Sequence, residues 1–215
     1  MAAFRILIVD DHSVVRHGLA LLLARQGDMH VCGEAASYEE ALTQLEILRP
    51  DISIVDITLK DRSGLDLIRD AGARFPGFRS LVLSMHDEME YADRALRAGA
   101  LGYVMKEEAD AVIVDALHTA LRGEIYLSPR ASAHILRART GGEGGAQSGV
   151  DSLTDREREV FRCLGQGLTT KKIADQFNLS ARTVEVHRAN IKKKLACEDA
   201  AQLLREAVRW VEANP

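Results

Sequence analysis

The chain has 215 residues, 47% hydrophobic and 28% charged, with a net charge of −4; this is an ordinary globular composition, long enough for one large domain or two small ones. No apolar run approaches the roughly 18 residues of a membrane span, and the start MAAFRILIVDD lacks the cationic segment, apolar stretch and cleavage site of a secretory signal. Three scattered cysteines, Cys32, Cys163 and Cys197, suit neither a disulfide framework nor a metal knuckle, so the expectation is a cytoplasmic protein with core thiols and no membrane partner.

Apolar runs of strand length recur at 4–9 (FRILIV), 30–35, 51–56, 79–84 and 101–106, and helical spacing fills 13–26, 38–49, 64–74, 88–98 and 108–121. Five strands alternating with five helices predict an α/β fold with a parallel, doubly wound sheet, its central strands buried on both faces. After Gly123, SPRAS predicts a short helix capped by Ser128 with Pro129 in its first turn. TGGEGGAQSG (140–149) has the composition of a flexible linker. From Asp151 onward four helices are predicted, at 154–166, 170–177, 181–195 and 199–212, forming a small all-α domain. Thr154 and Glu157 make a capping box, and Gly167 and Asn178 end helices. The expected boundaries are therefore 1–122, 123–150 and 151–215. Charge divides along the same line: residues 1–121 hold 12 basic against 20 acidic side chains, and residues 151–215 hold 12 against 10.

The string LIVDDH places Asp10 and Asp11 at the end of the first strand. Like charges about 4 Å apart repel by roughly 4 kcal/mol at an effective dielectric near 20, so this pair needs a cation or a chemistry to serve. The third strand ends in Asp56, the fourth in Ser84 and the fifth in Lys106. A single strand-end Asp is ordinarily a helix cap or turn residue, but a parallel sheet brings all five side chains to one rim, where such folds bind ligands. Three carboxylates there suit a hard divalent cation such as Mg²⁺, and a hydroxyl with an ammonium beside it completes a site for a phosphoryl group.

The ordered set Asp10–Asp11, Asp56, Ser84, Tyr103 and Lys106 resembles the receiver domain of two-component response regulators over about residues 4–121. LIVDDHSVVRHGL, LSMHDEMEYADRAL and AGALGYVMK are similar to the NarL/FixJ group in particular. The resemblance implies a flavodoxin-like (βα)5 receiver in which Asp56 takes a phosphoryl group from a sensor histidine kinase. It further implies that Asp11, Asp56 and the Thr58 carbonyl bind Mg²⁺, with Asp10 assisting through water, and that Ser84 and Lys106 hold the phosphoryl oxygens. The switch would run through Ser84 and Tyr103, the hydroxyl swinging inward and the ring following. Thr58 and His86 flank the site and are expected to tune hydrolysis of the acyl phosphate. One departure is Lys60, where such regulators often have proline; it bears on loop stiffness and on phosphate lifetime.

The second signal is LTDREREVFRCLGQGLTTKKIADQFNLSARTVEVHRANIKKKL, 153–195. On a helical wheel Val184, Ile191 and Leu195 share an inward face with His187 and Arg188 at its edges, while Arg182, Glu185, Val186, Ala189, Asn190 and Lys193 lie opposite. A short helix, a tight turn and a longer cationic helix match a helix-turn-helix, whose second helix enters the major groove of double-stranded DNA. Val186 and Ala189 would let the backbone approach thymine methyls, and Glu185 would accept from a cytosine amino group. Lys171, Lys172, Ser180, Arg182, Thr183 and Lys193 are expected phosphate contacts, and Arg188 is expected on the DNA with them. LTDREREVF, IADQF, SARTVEVHRANI and KKL resemble the LuxR-type DNA-binding domain of the same regulators, with TVEVHRAN similar to the FixJ branch.

Together these features predict a transcription factor, not an enzyme, that dimerises when phosphorylated; the resemblance implies that the last helix, with Leu203, Leu204 and Val208, helps pair the DNA-binding units, the alternative being that these three are monomer core. The alternative is a DNA-binding regulator whose receiver answers to protein contacts without phosphorylation. VDDHS and VDITL both miss the DxDx[TV] pattern of a haloacid dehalogenase-type phosphatase, and acidic DDHS, which repels phosphate unless a metal is present, argues against a flavin-binding flavodoxin.

Overall fold

The computed structural model describes residues 3–60, 62–140, 149–177 and 179–213; most of the Gly-rich 140–149 stretch and the proposed cap Asn178 lie outside the described residues. The chain divides into two compact units, Met1–Gly142 and Glu143–Pro215.

In the first unit, β1 (Phe4–Val9), β2 (Met29–Ala35), β3 (Ile52–Val55), β4 (Ser80–Ser84) and β5 (Tyr103–Met105) form one sheet in the order β2-β1-β3-β4-β5. Every pairing is parallel. Each strand is followed by a helix, α1 (Ser13–Leu23), α2 (Tyr38–Leu48), α3 (Gly64–Arg74), α4 (Glu88–Ala98) and α5 (Ala109–Leu121). Strand alternation sorts the core into two layers. Ile6, Ile8, Ile52, Ile54, Leu81 and Leu83 pack with Leu19 and Leu23 of α1 and Ile113 and Leu117 of α5. Leu7, Val9, Val55, Val82 and Tyr103 face the opposite way, onto α2, α3 and α4. Every residue of β3 and β4 is buried, the serines Ser53, Ser80 and Ser84 included, which is why those runs carry no charged side chain and do not alternate.

Register sets the rim. Val9 is opposite Val55 and the Asp56 N–H donates to the Val9 carbonyl at 2.8 Å, so Asp10 and Asp56 leave adjacent strands side by side. Ser84 is opposite Met105, which brings Lys106 to the same edge. Short polar caps start the neighbouring helices: Ser37 accepts from Glu40 N–H, Ser63 from Leu65 N–H and Asp87 from Met89 N–H. Gly99, at φ +106°, ends α4 in the left-handed conformation glycine favours.

The fifth strand is shorter than the 101–106 run suggests. Gly102 instead bridges to Tyr126, with the Tyr103 N–H donating to the Tyr126 carbonyl at 3.1 Å and the Tyr126 N–H to the Leu101 carbonyl at 2.9 Å. A Cβ at Gly102 would meet the Tyr126 oxygen at 2.5 Å. Helix α6 (Pro129–Thr140) follows, with Ser128 capping Ala131 N–H at 3.0 Å as the sequence predicts. Ala131 and Ile135 are buried in the same core as α4, so the beginning of the 123–150 segment packs on the first unit.

The second unit comprises α7 (Asp155–Gly165), α8 (Thr170–Gln176), α9 (Ala181–Lys194) and α10 (Ala200–Ala213). The Thr154–Glu157 capping box forms in both directions, and Gly167 at φ +78° follows the end of α7. Its core includes Val160, Phe161, Ile173, Val184, Ile191, Leu203 and Ala207. Among the described residues no helix is long and apolar enough to cross a membrane.

Gly64 makes the closest backbone approach, since a Cβ there would lie 1.9 Å from the Asp56 carbonyl oxygen. Gly64→Ala is expected to destabilise the chain by about 2–3 kcal/mol, because backbone cannot yield as a flexible side chain can. Urea unfolding of both proteins measures this, and a change below about 0.5 kcal/mol would contradict the packing argument.

Candidate functional site

The carboxyl ends of β1, β3, β4 and β5 gather Asp10, Asp11, Asp56, Ser84 and Lys106 as the sequence leads one to expect. Asp10 and Asp56 are only 2% and 3% exposed. The Lys106 ammonium lies 2.6 Å from Asp10 Oδ2 and 2.7 Å from Asp56 Oδ2. Asp10 Oδ1 accepts from the His12 N–H at 2.7 Å, and the Asp10 carbonyl accepts from Arg16 Nη1 at 2.7 Å. His12 Nδ1 stands 2.7 Å from Asp11 Oδ1. The Thr58 N–H donates to Asp56 Oδ1 at 3.3 Å.

Three carboxylates face one ammonium, which leaves the pocket short of positive charge. Burial, against the attraction of Lys106 and reinforced by the negative charge of Asp10, pushes the Asp56 carboxyl up to about 6. Burial also works against the charge on Lys106, but Asp56 and Asp10 outweigh it and leave that ammonium harder to deprotonate than usual. Among the described residues, Asp10, Asp11, His12 and Asp56 offer ligand atoms that all lie within 4.8 Å of one another. Hard oxygen donors with unbalanced negative charge fit a divalent cation of the Mg²⁺ kind.

Beside the carboxylates, Ser84 is fully buried and its Oγ accepts from the His86 N–H at 3.2 Å. Tyr103 lies with its ring buried and its hydroxyl donating to the His86 carbonyl at 2.7 Å, which is the inward arrangement. Burial raises the pKa of that phenol, so it remains a donor. Thr58 Oγ1 and His86 Nε2 are 2.9 Å apart across the mouth, and the His86 ring stacks on Tyr91 at 4.6 Å. Sequence reasoning missed His12 and Arg16; their positions one residue after the acidic pair and one helical turn further on are the signals that point to them.

In the second unit the Thr169 hydroxyl caps α8 and Ser180 caps α9, the latter accepting from Thr183 N–H at 3.0 Å. Val184 and Ile191 are buried, and Arg182, Glu185, Val186, Ala189, Asn190 and Lys193 are all exposed, so the wheel assigns both faces of α9 correctly. Lys171 and Lys172 are exposed at the start of α8. His187 is half-buried; burial, aided by Arg156, lowers its pKa and keeps it neutral at physiological pH. Ser180 spends its hydroxyl on its own helix. Glu185 Oε1 accepts from Thr170 at 2.8 Å and from Arg188 at 3.0 Å, and Arg188 also donates to Thr170 at 2.7 Å. The two residues expected on DNA are thus joined to each other and to α8.

The model of the response regulator receiver domain matches residues 6–118, and that of the luxR family of bacterial regulatory proteins matches residues 151–207. The chain is 36% identical over 211 residues to the DNA-binding transcriptional activator DevR/DosR of Mycobacterium tuberculosis, covering 98% of this chain and 97% of that one. It is 36% identical over 199 residues to the transcriptional regulatory protein UhpA of Escherichia coli, covering 92% and 94%. Among solved structures it is similar to a LuxR-family two-component response regulator from Aurantimonas sp. SI85-9A1, with a TM-score of 0.60 and 34% identity over 64% of this chain and 99% of that one. It is also similar to RcsB of Salmonella enterica serovar Typhimurium bound to a promoter with the phosphomimetic BeF3⁻, with a TM-score of 0.59 and 25% identity over 94% and 97% of the two chains. A receiver followed by a LuxR-type helix-turn-helix defines a DNA-binding response regulator that controls transcription. The chain belongs to the NarL/FixJ family of these regulators.

Because the Asp56 carboxyl is raised from 3.8 to about 6, its contribution to stability is fully present below the unfolded value and is lost as pH rises through the folded one. At neutral pH the buried charge costs on the order of 3 kcal/mol. Asp56→Asn is therefore expected to raise the receiver's thermal midpoint by ~5 °C at neutral pH in chelator, a gain that shrinks as pH falls through about 6 and is gone below 3.8. Calorimetry across pH checks this, and a variant that melts below the parent at neutral pH would contradict the charge argument.

Proposed function

We propose that Asp56 accepts a phosphoryl group from a phosphohistidine on a sensor histidine kinase with the help of Mg²⁺, and that the modified receiver dimerises and controls DNA binding. The observation that carries this reading is the setting of Asp56, a buried carboxylate with one oxygen on Lys106 and the other beside the Thr58 N–H, at the rim where Asp10 and Asp11 also end. In the transfer an Asp56 oxygen bonds to phosphorus as the phosphorus–nitrogen bond breaks; the electron pair stays on the imidazole, which takes up a proton. Lys106, already in contact with Asp56, follows the new charge onto a phosphoryl oxygen. Ser84 turns its hydroxyl from the His86 N–H toward another, and Tyr103 holds the β4–α4 loop through the His86 carbonyl. Asp11, Asp56 and the Thr58 carbonyl would hold Mg²⁺, with Asp10 helping through water; bound there it would neutralise charge on the phosphoryl group.

We assign residues 1–122 to the receiver, 123–150 to the connection and 151–215 to the DNA-binding domain. Its α9 presents Val186 and Ala189 to base edges, and Lys171, Lys172, Arg182, Thr183 and Lys193, with the α9 start at Ser180, lie along the backbone. Glu185 reads a cytosine amino group only by releasing Thr170 or Arg188. Two linked copies on adjacent half-sites multiply a modest single-copy affinity through effective concentration. We infer a cytoplasmic location, which access to DNA and to a kinase's phosphohistidine would require.

Acetyl phosphate with Mg²⁺ is expected to add one phosphoryl mass to the intact chain, to leave Asp56→Asn unmodified, and to strengthen DNA binding at least roughly tenfold. No mass gain would favour a receiver governed by protein contacts, and a mass gain with equal DNA affinities would remove the coupling. Lys193→Ala is expected to weaken binding to every sequence alike and to reduce the salt slope by about one, as anisotropy titrations would show.

A further inference from the structure

The loop after Asp56, which carries Lys60, is closed by its own backbone. Thr58 and Ser63 form an antiparallel bridge, and the Gly64 N–H donates to the Ile57 carbonyl at 2.7 Å. Next to Ser63, the Arg62 guanidinium lies over the Tyr38 ring, 4.0 Å from its centroid, and Arg62 Nη2 reaches Asp70 Oδ2 at 3.4 Å. The Tyr38 hydroxyl donates to the same Asp70 oxygen. Tyr38 is itself core, only 3% exposed at the start of α2, and burial with the Asp70 bond pushes its hydroxyl up to about 12, so it stays a donor. A surface arginine is thus tied to two helices through a rigid ring and a carboxylate.

We propose that Arg62 is a positioning residue for the phosphoacceptor site: by clamping the loop against Tyr38 and Asp70 it fixes Ser63, and through the Ser63–Thr58 bridge the Thr58 backbone beside Asp56. This rests on the phosphoacceptor reading above, in which the Thr58 carbonyl is a metal ligand. Arg62 acts through Tyr38, Asp70 and the loop backbone; its effect is to reduce the freedom the loop loses when a ligand binds. The work is done by a stacked cation and an ion pair, both partly exposed, so their effect is moderate and salt-sensitive.

The test is Mg²⁺ titration of the full chain by calorimetry, with hydrogen exchange at the Gly64 amide as a readout independent of metal. Arg62→Ala is expected to weaken Mg²⁺ about fivefold and to speed Gly64 exchange by a similar factor. Arg62→Lys, whose ammonium also sits over the ring, is expected to retain most of the affinity. Arg69→Ala removes another exposed arginine, paired with Asp66 on α3, and is expected to change neither readout. Unchanged exchange and affinity in Arg62→Ala, or equal losses in Arg69→Ala, would overturn the clamp. Should the parent chain take up no Mg²⁺, the metal part of the phosphoacceptor reading falls, and the exchange rates alone then decide whether the loop is clamped.

Discussion

Negative charge held out of water organises the receiver half of this molecule. Asp10 and Asp56 are nearly buried, and their one ammonium partner, Lys106, sits between them. Nothing about the sheet requires acids there, since the strands would pair equally well with apolar ends. The arrangement stores an electrostatic imbalance that a divalent cation would relieve. The surrounding polar contacts, from the His12 N–H, the Arg16 guanidinium and the Thr58 N–H, hold the acids in place without cancelling their charge.

The sheet and its helices were legible because their signals are local and redundant. Unbroken runs such as ISIV suit central parallel strands, and caps at Ser37, Ser63 and Asp87 start the helices they precede. The five rim residues were legible for a related reason: parallel topology converts position at a strand end into proximity in space. What sequence did not disclose depends on contacts distant along the chain. The hold on the Asp56 loop joins Tyr38, Arg62 and Asp70, residues of different elements with no shared periodicity. The pairing of Tyr126 with the Leu101–Tyr103 stretch likewise follows from the shape of Gly102, and no pattern in EIYLSP announces it.

In the DNA-binding half, the wheel separated the faces of α9 because burial of Val184 and Ile191 is periodic. It could not show how the polar residues spend their hydrogen bonds. Glu185 and Arg188 are one turn apart and share Thr170 across the helix-turn-helix. Affinity for DNA therefore includes the cost of rearranging that trio whenever either member turns to a base or phosphate. A charge count over α9 cannot register this, since it treats every arginine and glutamate as available.

The Tyr126 pairing bears on how the receiver can be studied in isolation. It covers part of the exposed edge of the sheet, and Ala131 and Ile135 seal the apolar surface beside α4. A fragment cut at residue 122, where α5 has ended and the sheet looks finished, would bare the backbone N–H of Tyr103 together with a greasy flank, the kind of surface on which separate molecules adhere. Carrying the excision on through α6 keeps that margin sealed, so the folding unit of this receiver extends past its last recognisable strand and helix.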